Sequence, residues 1–231
     1  MAPFPDKLPD FLSEPELWPQ GAGRCLLFAQ YDIARCRDSD YAVAGLAPPD
    51  FLSRAVPKRR AEFLAGRALA GQALARLGAT GAVGRDSHGA PVWPRGMQGS
   101  ISHSHGMVGV WLGQGATTFG LDLEALADPR AVRAICHSVL TPGDRVHLGA
   151  TPDAAGATAV FSAKEALYKA LFPRVGRFFG FDHAEIAEIR PDGLALRLTK
   201  PLSTGWPAGC VFEIAQHWRA GTVISQCEIA S

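Results

Sequence analysis

With 231 residues, 47% of them hydrophobic, the chain is long enough to bury one large core or two smaller ones. Its 23 Lys and Arg against 22 Asp and Glu leave a formal charge of +1, so no chain-wide basic field draws nucleic acid and any anion site must be local. Five widely spaced cysteines (Cys25, Cys36, Cys136, Cys210 and Cys227) without a CxxC pair suit reduced thiols and a cytoplasmic setting better than a disulfide framework.

The first twenty residues, rich in Pro and acids, lack the basic start and apolar run of a secretory leader, and residues 1–23 read as an irregular arm. No run approaches the roughly 18 apolar residues of a membrane span. "RCLLFAQYDI" reads as a buried strand, and "KRRAEFLAGRALAGQALARLGATG" as a helix that ends at Gly78. "GSISHSHG", 99–106, reads as a turn. "MVGVWLG" and "TTFGLDLE" read as a strand pair joined by the "GQG" at 113–115. Helical pieces follow Pro129, with Thr141-Pro142-Gly143-Asp144 as an N-terminal cap. A further helix covers 157–172, and the remainder reads as antiparallel hairpins around "DG" and "AG". Ala61-x-Phe63-x-Ala65-x-Arg67-Ala68-Leu69 repeats as Ala159-x-Phe161-x-Ala163-x-Glu165-Ala166-Leu167. Two similar halves, or two unrelated alanine-rich helices, both account for that match.

The candidate chemistry lies in a few polar residues. Asp122 and Glu124 are two apart on a strand, so the pleat sends both carboxylates to one face and Leu121 and Leu123 to the other. They are either solvated acids at a strand end or a pair of hard oxygen ligands. Glu165 and Lys169 share a helix face at i and i+4, either as an exposed ion pair or as part of a site. If Glu165 approaches Asp122 and Glu124, three carboxylates could hold magnesium beside phosphate oxygens, with Lys169 reaching the phosphate. Ser102 and His103 could donate to phosphate, and Arg59 and Arg67 carry guanidinium forks suited to the same anion. No GxSxG elbow supports a serine hydrolase, and zinc bound by His103 or His105 with Cys136 or His137 has no diagnostic spacing.

In order, "KRRAEFLAGR", "GAPVWP", "GSISHS", "GLDLE", "FSAKEALYKAL" and "FFGF" resemble the 4′-phosphopantetheinyl transferase superfamily, above all its bacterial enterobactin synthetase component D group. The likeness runs from about Lys58 to Phe181. It implies an α/β fold of the α+β type, with two similar halves related by a pseudo-twofold axis and the active site in the cleft between them. The corresponding divisions are 1–23, 24–116 and 117–231. It further implies that Asp122, Glu124 and Glu165 bind magnesium, and that Lys169 and Lys164 contact phosphate. Arg59, Arg67, Ser102 and His103 would hold coenzyme A phosphates, and Gly89-Ala90-Pro91 would border its adenine end. Many members of the family carry a basic residue where this chain has Ala90, so either Arg85, His88 or Arg95 compensates or coenzyme A binds more weakly.

The implied reaction moves the phosphopantetheine arm of coenzyme A onto a serine of an apo carrier protein of peptidyl, aryl or acyl type. Glu165 is the first candidate for the base, with Asp122 or Glu124 as alternatives. The group suggests siderophore or other nonribosomal peptide or polyketide synthesis, and an internal repeat favours a monomer. The competing reading is a coenzyme A or nucleotide-binding module without transfer activity, which would not need all three acids.

Overall fold

A computed structural model describes residues 7–230. Its internal contacts divide the chain into two units that meet in sequence at Thr117 and Thr118. Both are mixed α/β, each setting one long helix against an antiparallel sheet.

The first unit contains β1 (Glu16–Trp18), β2 (Arg24–Gln30), α1 (Ser39–Val43), α2 (Pro57–Arg76), β3 (Gly84–Arg85), β4 (Pro91–Val92), β5 (Met97–Ser104) and β6 (Met107–Gln114). The sheet order is β1-β2-β6-β5, and β3 pairs with β4 as a separate hairpin. Pro57 starts α2 where a missing N–H costs no helical bond, and Gly78, at φ 67°, follows its end. Leu64, Leu69 and Leu74 of α2 pack with Leu27, Val108, Val110 and Leu112 of the sheet. A side chain at Gly66 would come within 2.9 Å of Ile101 Cγ2, so the glycine lets α2 lie close to β5.

The second unit contains β7 (Thr118–Ala125), α3 (Pro129–Ser138), α4 (Pro142–Leu148), α5 (Ala154–Val175), β8 (Ala184–Arg190), β9 (Gly193–Leu198), β10 (Val211–Arg219) and β11 (Thr222–Ile229). Its sheet order is β7-β11-β10-β9-β8. Asp153 caps α5 by accepting from Gly156 N–H, and Gly176 ends it in the left-handed region. Leu167 and Leu171 of α5 pack with Ile186, Leu196 and Ile214. The expected cap at Thr141 and Asp144 is present as a full capping box.

Three local expectations change. The arm is not wholly irregular: β1 adds to the edge of β2, and Phe11 and Leu12 join the core of the unit, while residues 1–6 lie outside the described residues. "GSISHS" belongs to strand β5, and the turn is only His105-Gly106, whose φ values of 45° and 82° suit a two-residue hairpin. β6 and β7 are not a pair: β6 lies between β2 and β5, whereas β7 pairs with β11 in the other sheet. Alternation identifies a strand but not its neighbour.

Candidate active site

Gly120 sets the distance between β7 and α5. A Cβ there would lie 1.9 Å from the Ala166 carbonyl oxygen, an approach open only to glycine. Two and four residues on, Asp122 and Glu124 take the same face of β7, while Leu121 and Leu123 are buried on the other. Asp122 is 5% exposed. Lys169 Nζ donates to Asp122 Oδ1 at 2.7 Å and to the Leu121 carbonyl at 3.0 Å, which joins α5 to β7. Glu165 lies one turn earlier on α5. Burial raises its pKa, Lys169 opposes that rise, and the negative charge of Asp122 adds to it.

The three acids are not gathered into a cage: among the described residues, no group of three or more His, Cys, Asp or Glu could by itself hold a metal ion. Like charges resist such packing without a cation, and here an ammonium group meets Asp122. The donor set still suits magnesium, which ordinarily takes one or two carboxylates and fills its shell with water and substrate phosphate. Asp122 and Glu165, close enough to influence each other, supply that number, with the half-buried Glu124 further along the same face.

Glu165 also borders a cavity of about 130 Å³ walled by Tyr168, Phe178, Phe179 and Phe181. The Tyr168 and Phe179 rings lie 4.9 Å apart. Lys164, expected to contact phosphate, shares this lining yet is 3% exposed. Its ammonium donates to Asp144 Oδ2 at 2.5 Å, to the Val139 carbonyl at 3.0 Å and to the Phe181 carbonyl at 3.2 Å, which takes up all three of its N–H groups. Burial lowers its pKa, and the carboxylate of Asp144 counteracts that effect.

The first unit holds a second cavity, of about 110 Å³, into which Arg59, Arg67, Arg85, Gly89, Pro91 and His103 converge. Arg67 is 9% exposed. Its Nη2 donates to the Gly84 carbonyl at 2.9 Å, its guanidinium stacks 4.8 Å from the Phe63 ring, and its Nε is buried with no hydrogen-bond acceptor among the described residues. Desolvation, then Arg85, then Arg59 push its pKa down to about 10. A cluster of guanidinium groups that repel one another and leave a buried donor unmatched is chemically suited to a multiply charged oxyanion. Glu62 also lines the cavity, its carboxylate 3.6 Å from His103 Nδ1.

Neither Ala90 nor Ser102 lines this cavity. Ala90 uses its N–H on Asp86 Oδ1, and Arg85 brings a cation to the cavity of which the Ala90 loop forms part. Ser102, 5% exposed, sits next to His103 on β5 and therefore on its opposite face. Beyond the cap at Asp144, its ion pair with Lys164 and the Tyr168–Phe179 contact were not foreseen from the sequence. The buried cap and the run "FFGF" were the signals for them.

The family described as 4′-phosphopantetheinyl transferase N-terminal domain matches residues 47–112, and the 4′-phosphopantetheinyl transferase superfamily matches residues 118–223. The chain belongs to the 4′-phosphopantetheinyl transferase superfamily. It is 34% identical over 151 residues to the 4′-phosphopantetheinyl transferase Npt of Nocardia iowensis, covering 64% of this chain and 68% of that protein. It is 32% identical over 179 residues to enterobactin synthase component D of Salmonella typhi, covering 77% and 74%. With Svp of Streptomyces mobaraensis, a 4′-phosphopantetheinyl transferase, it shares 36% over 146 residues, 61% of this chain and 59% of that one. The chain is thus an enzyme of the phosphopantetheinyl transferase family, whose members use coenzyme A and act on carrier proteins. Among the described residues of this transferase, no helix is long and apolar enough to cross a membrane.

Proposed function

We propose that the enzyme moves the 4′-phosphopantetheine group of coenzyme A to a serine hydroxyl of an apo carrier protein, with magnesium at Asp122, Glu124 and Glu165. The observation that carries this reading is the contact of Lys169 with Asp122, beside Glu165, which groups a cation, an acid and a carboxylate of raised pKa on adjoining elements. The guanidinium cavity of the first unit supports binding of coenzyme A through Arg59, Arg67 and His103, with Gly89 and Pro91 at its edge.

In the reaction, the serine oxygen forms a bond to the β-phosphorus of coenzyme A as the bond from that phosphorus to the bridging oxygen breaks. Adenosine 3′,5′-bisphosphate leaves. The serine proton passes to the Glu165 carboxylate, whose burial makes it a better base than an ordinary glutamate. Lys169 holds Asp122 in place and supplies positive charge beside the reacting phosphates. A bound magnesium would add a Lewis acid that offsets charge on the phosphoryl oxygens.

The carrier is an acidic helical domain, and exposed Arg130 and Arg133 on α3 offer it complementary charge. The enterobactin synthase names of several relatives favour a carrier of siderophore or other nonribosomal peptide or polyketide synthesis.

The test is the intact mass of apo peptidyl, aryl and acyl carrier proteins after incubation with the enzyme and coenzyme A, with and without magnesium. A gain of one phosphopantetheine that needs the metal supports the reading. No gain on any carrier, or a gain unaffected by chelator, refutes the transfer or the metal respectively.

A further inference from the structure

Asp144 is 0% exposed, and the reaction above gives it no part. As the third residue of a capping box it would need only its bonds with Thr141, and a cap of that kind ordinarily faces water. Its carboxylate does more. Oδ2 accepts from Thr141 N–H at 2.7 Å, from Thr141 Oγ1 at 2.9 Å and from Lys164 Nζ at 2.5 Å, while Oδ1 accepts from Ile186 N–H at 2.8 Å.

Lys164 extends the connection. Its other two donors reach the carbonyls of Val139, just past α3, and Phe181, in the segment that walls the cavity beside Glu165. The pair thus ties the end of α3, the start of α4, α5, the Phe178–Phe181 segment and β8 at one point. A buried ion pair adds little net stability compared with apolar residues of the same volume. What it adds is direction, because three fixed acceptors around one ammonium define where each of their segments lies.

We infer that Asp144 and Lys164 are a positioning pair, holding the aromatic wall against α5 so that the cavity beside Glu165 keeps its shape, and that neither touches coenzyme A. The inference rests on the proposed role of Glu165.

The test compares Asp144→Asn, Lys164→Met and the double variant with the unaltered enzyme, in steady-state transfer and in amide hydrogen exchange. The double variant leaves no unpaired buried charge, so it decides the matter even where a single variant fails to fold. Misplacement of the wall should lower kcat by about tenfold or more while the KM for coenzyme A changes less than about twofold. The double variant should be no worse than the weaker single, because both singles break one unit. Amides of residues 178–183 should exchange faster in the double variant, a readout independent of turnover.

A rise in the coenzyme A KM with Lys164→Met but not Asp144→Asn would make Lys164 a phosphate ligand and overturn the inference. Unchanged kcat or unchanged exchange in the double variant would overturn it as well. Absence of transfer by the unaltered enzyme would instead refute the proposed function, so the two failures are distinguishable.

Discussion

Lys169 Nζ and Asp122 Oδ1 lie 2.7 Å apart, and this contact joins the helix carrying Glu165 to the strand carrying the other two acids. The ammonium is about a quarter exposed and the carboxylate almost buried, so the pair is shielded mainly on the acid's side.

Lys169→Ala removes a charged donor from a nearly buried carboxylate. Stability should fall by about 2 kcal/mol, the range for a hydrogen bond to a charged group. Turnover should fall by roughly a hundredfold, as when one stabilising donor is lost near developing charge. Urea unfolding and carrier loading measured side by side check both, and Lys169→Arg should recover most of the stability but little of the turnover.

Arg67→Ala should raise the KM for coenzyme A by about tenfold or more and leave that for the carrier unchanged, since charge-assisted bonds to phosphate are the strong ones. Kinetics with dephospho-coenzyme A provide the control. If the cavity holds the 3′-phosphate, that substrate should bind equally weakly to the variant and to the unaltered enzyme.

Glu165 makes a prediction about pH. Its folded pKa is raised, chiefly by burial, so the folded state favours the neutral acid more than the unfolded chain does. Its stabilising contribution is therefore complete below the ordinary glutamate value and is lost as pH rises through the raised one. Glu165→Gln should accordingly stabilise the ligand-free protein at pH 7, have almost no effect near pH 4, and abolish transfer. Melting temperatures at the two pH values check the sign.

Gly120→Ala tests how closely β7 and α5 pack. A methyl group 1.9 Å from a backbone oxygen forces the elements apart, at a cost of about 1–3 kcal/mol for overpacking. Loading should fall even at temperatures where the variant remains folded, because the Lys169 contact depends on that spacing.

Much of this was legible in the sequence because the relevant signals were local. Pro57 and Gly78 bracket α2, Asp192-Gly193 and Ala220-Gly221 mark hairpins, and alternation put Asp122 and Glu124 on one face. Partners far along the chain were not legible. Nothing local says that β6 and β7 enter different sheets, or that the nearest acid to Lys164 is Asp144, twenty residues earlier. Ser, His and Gly made β5 look like a turn, although Ile101 and the buried alternation around it mark a strand. Once β5 is a strand, the opposite faces of Ser102 and His103 follow.

The guanidinium cavity also has a consequence for folding. Arg59, Arg67 and Arg85 repel one another, and Arg67 Nε has no acceptor among the described residues, so the ligand-free chain holds unfavourable charge that a polyphosphate would relieve. A ligand that binds only the folded state adds about 2.7 kcal/mol at a hundred times its Kd. With coenzyme A bound there as proposed, the amount of folded protein in a cell would follow the supply of that substrate, linking the enzyme's lifetime to its abundance.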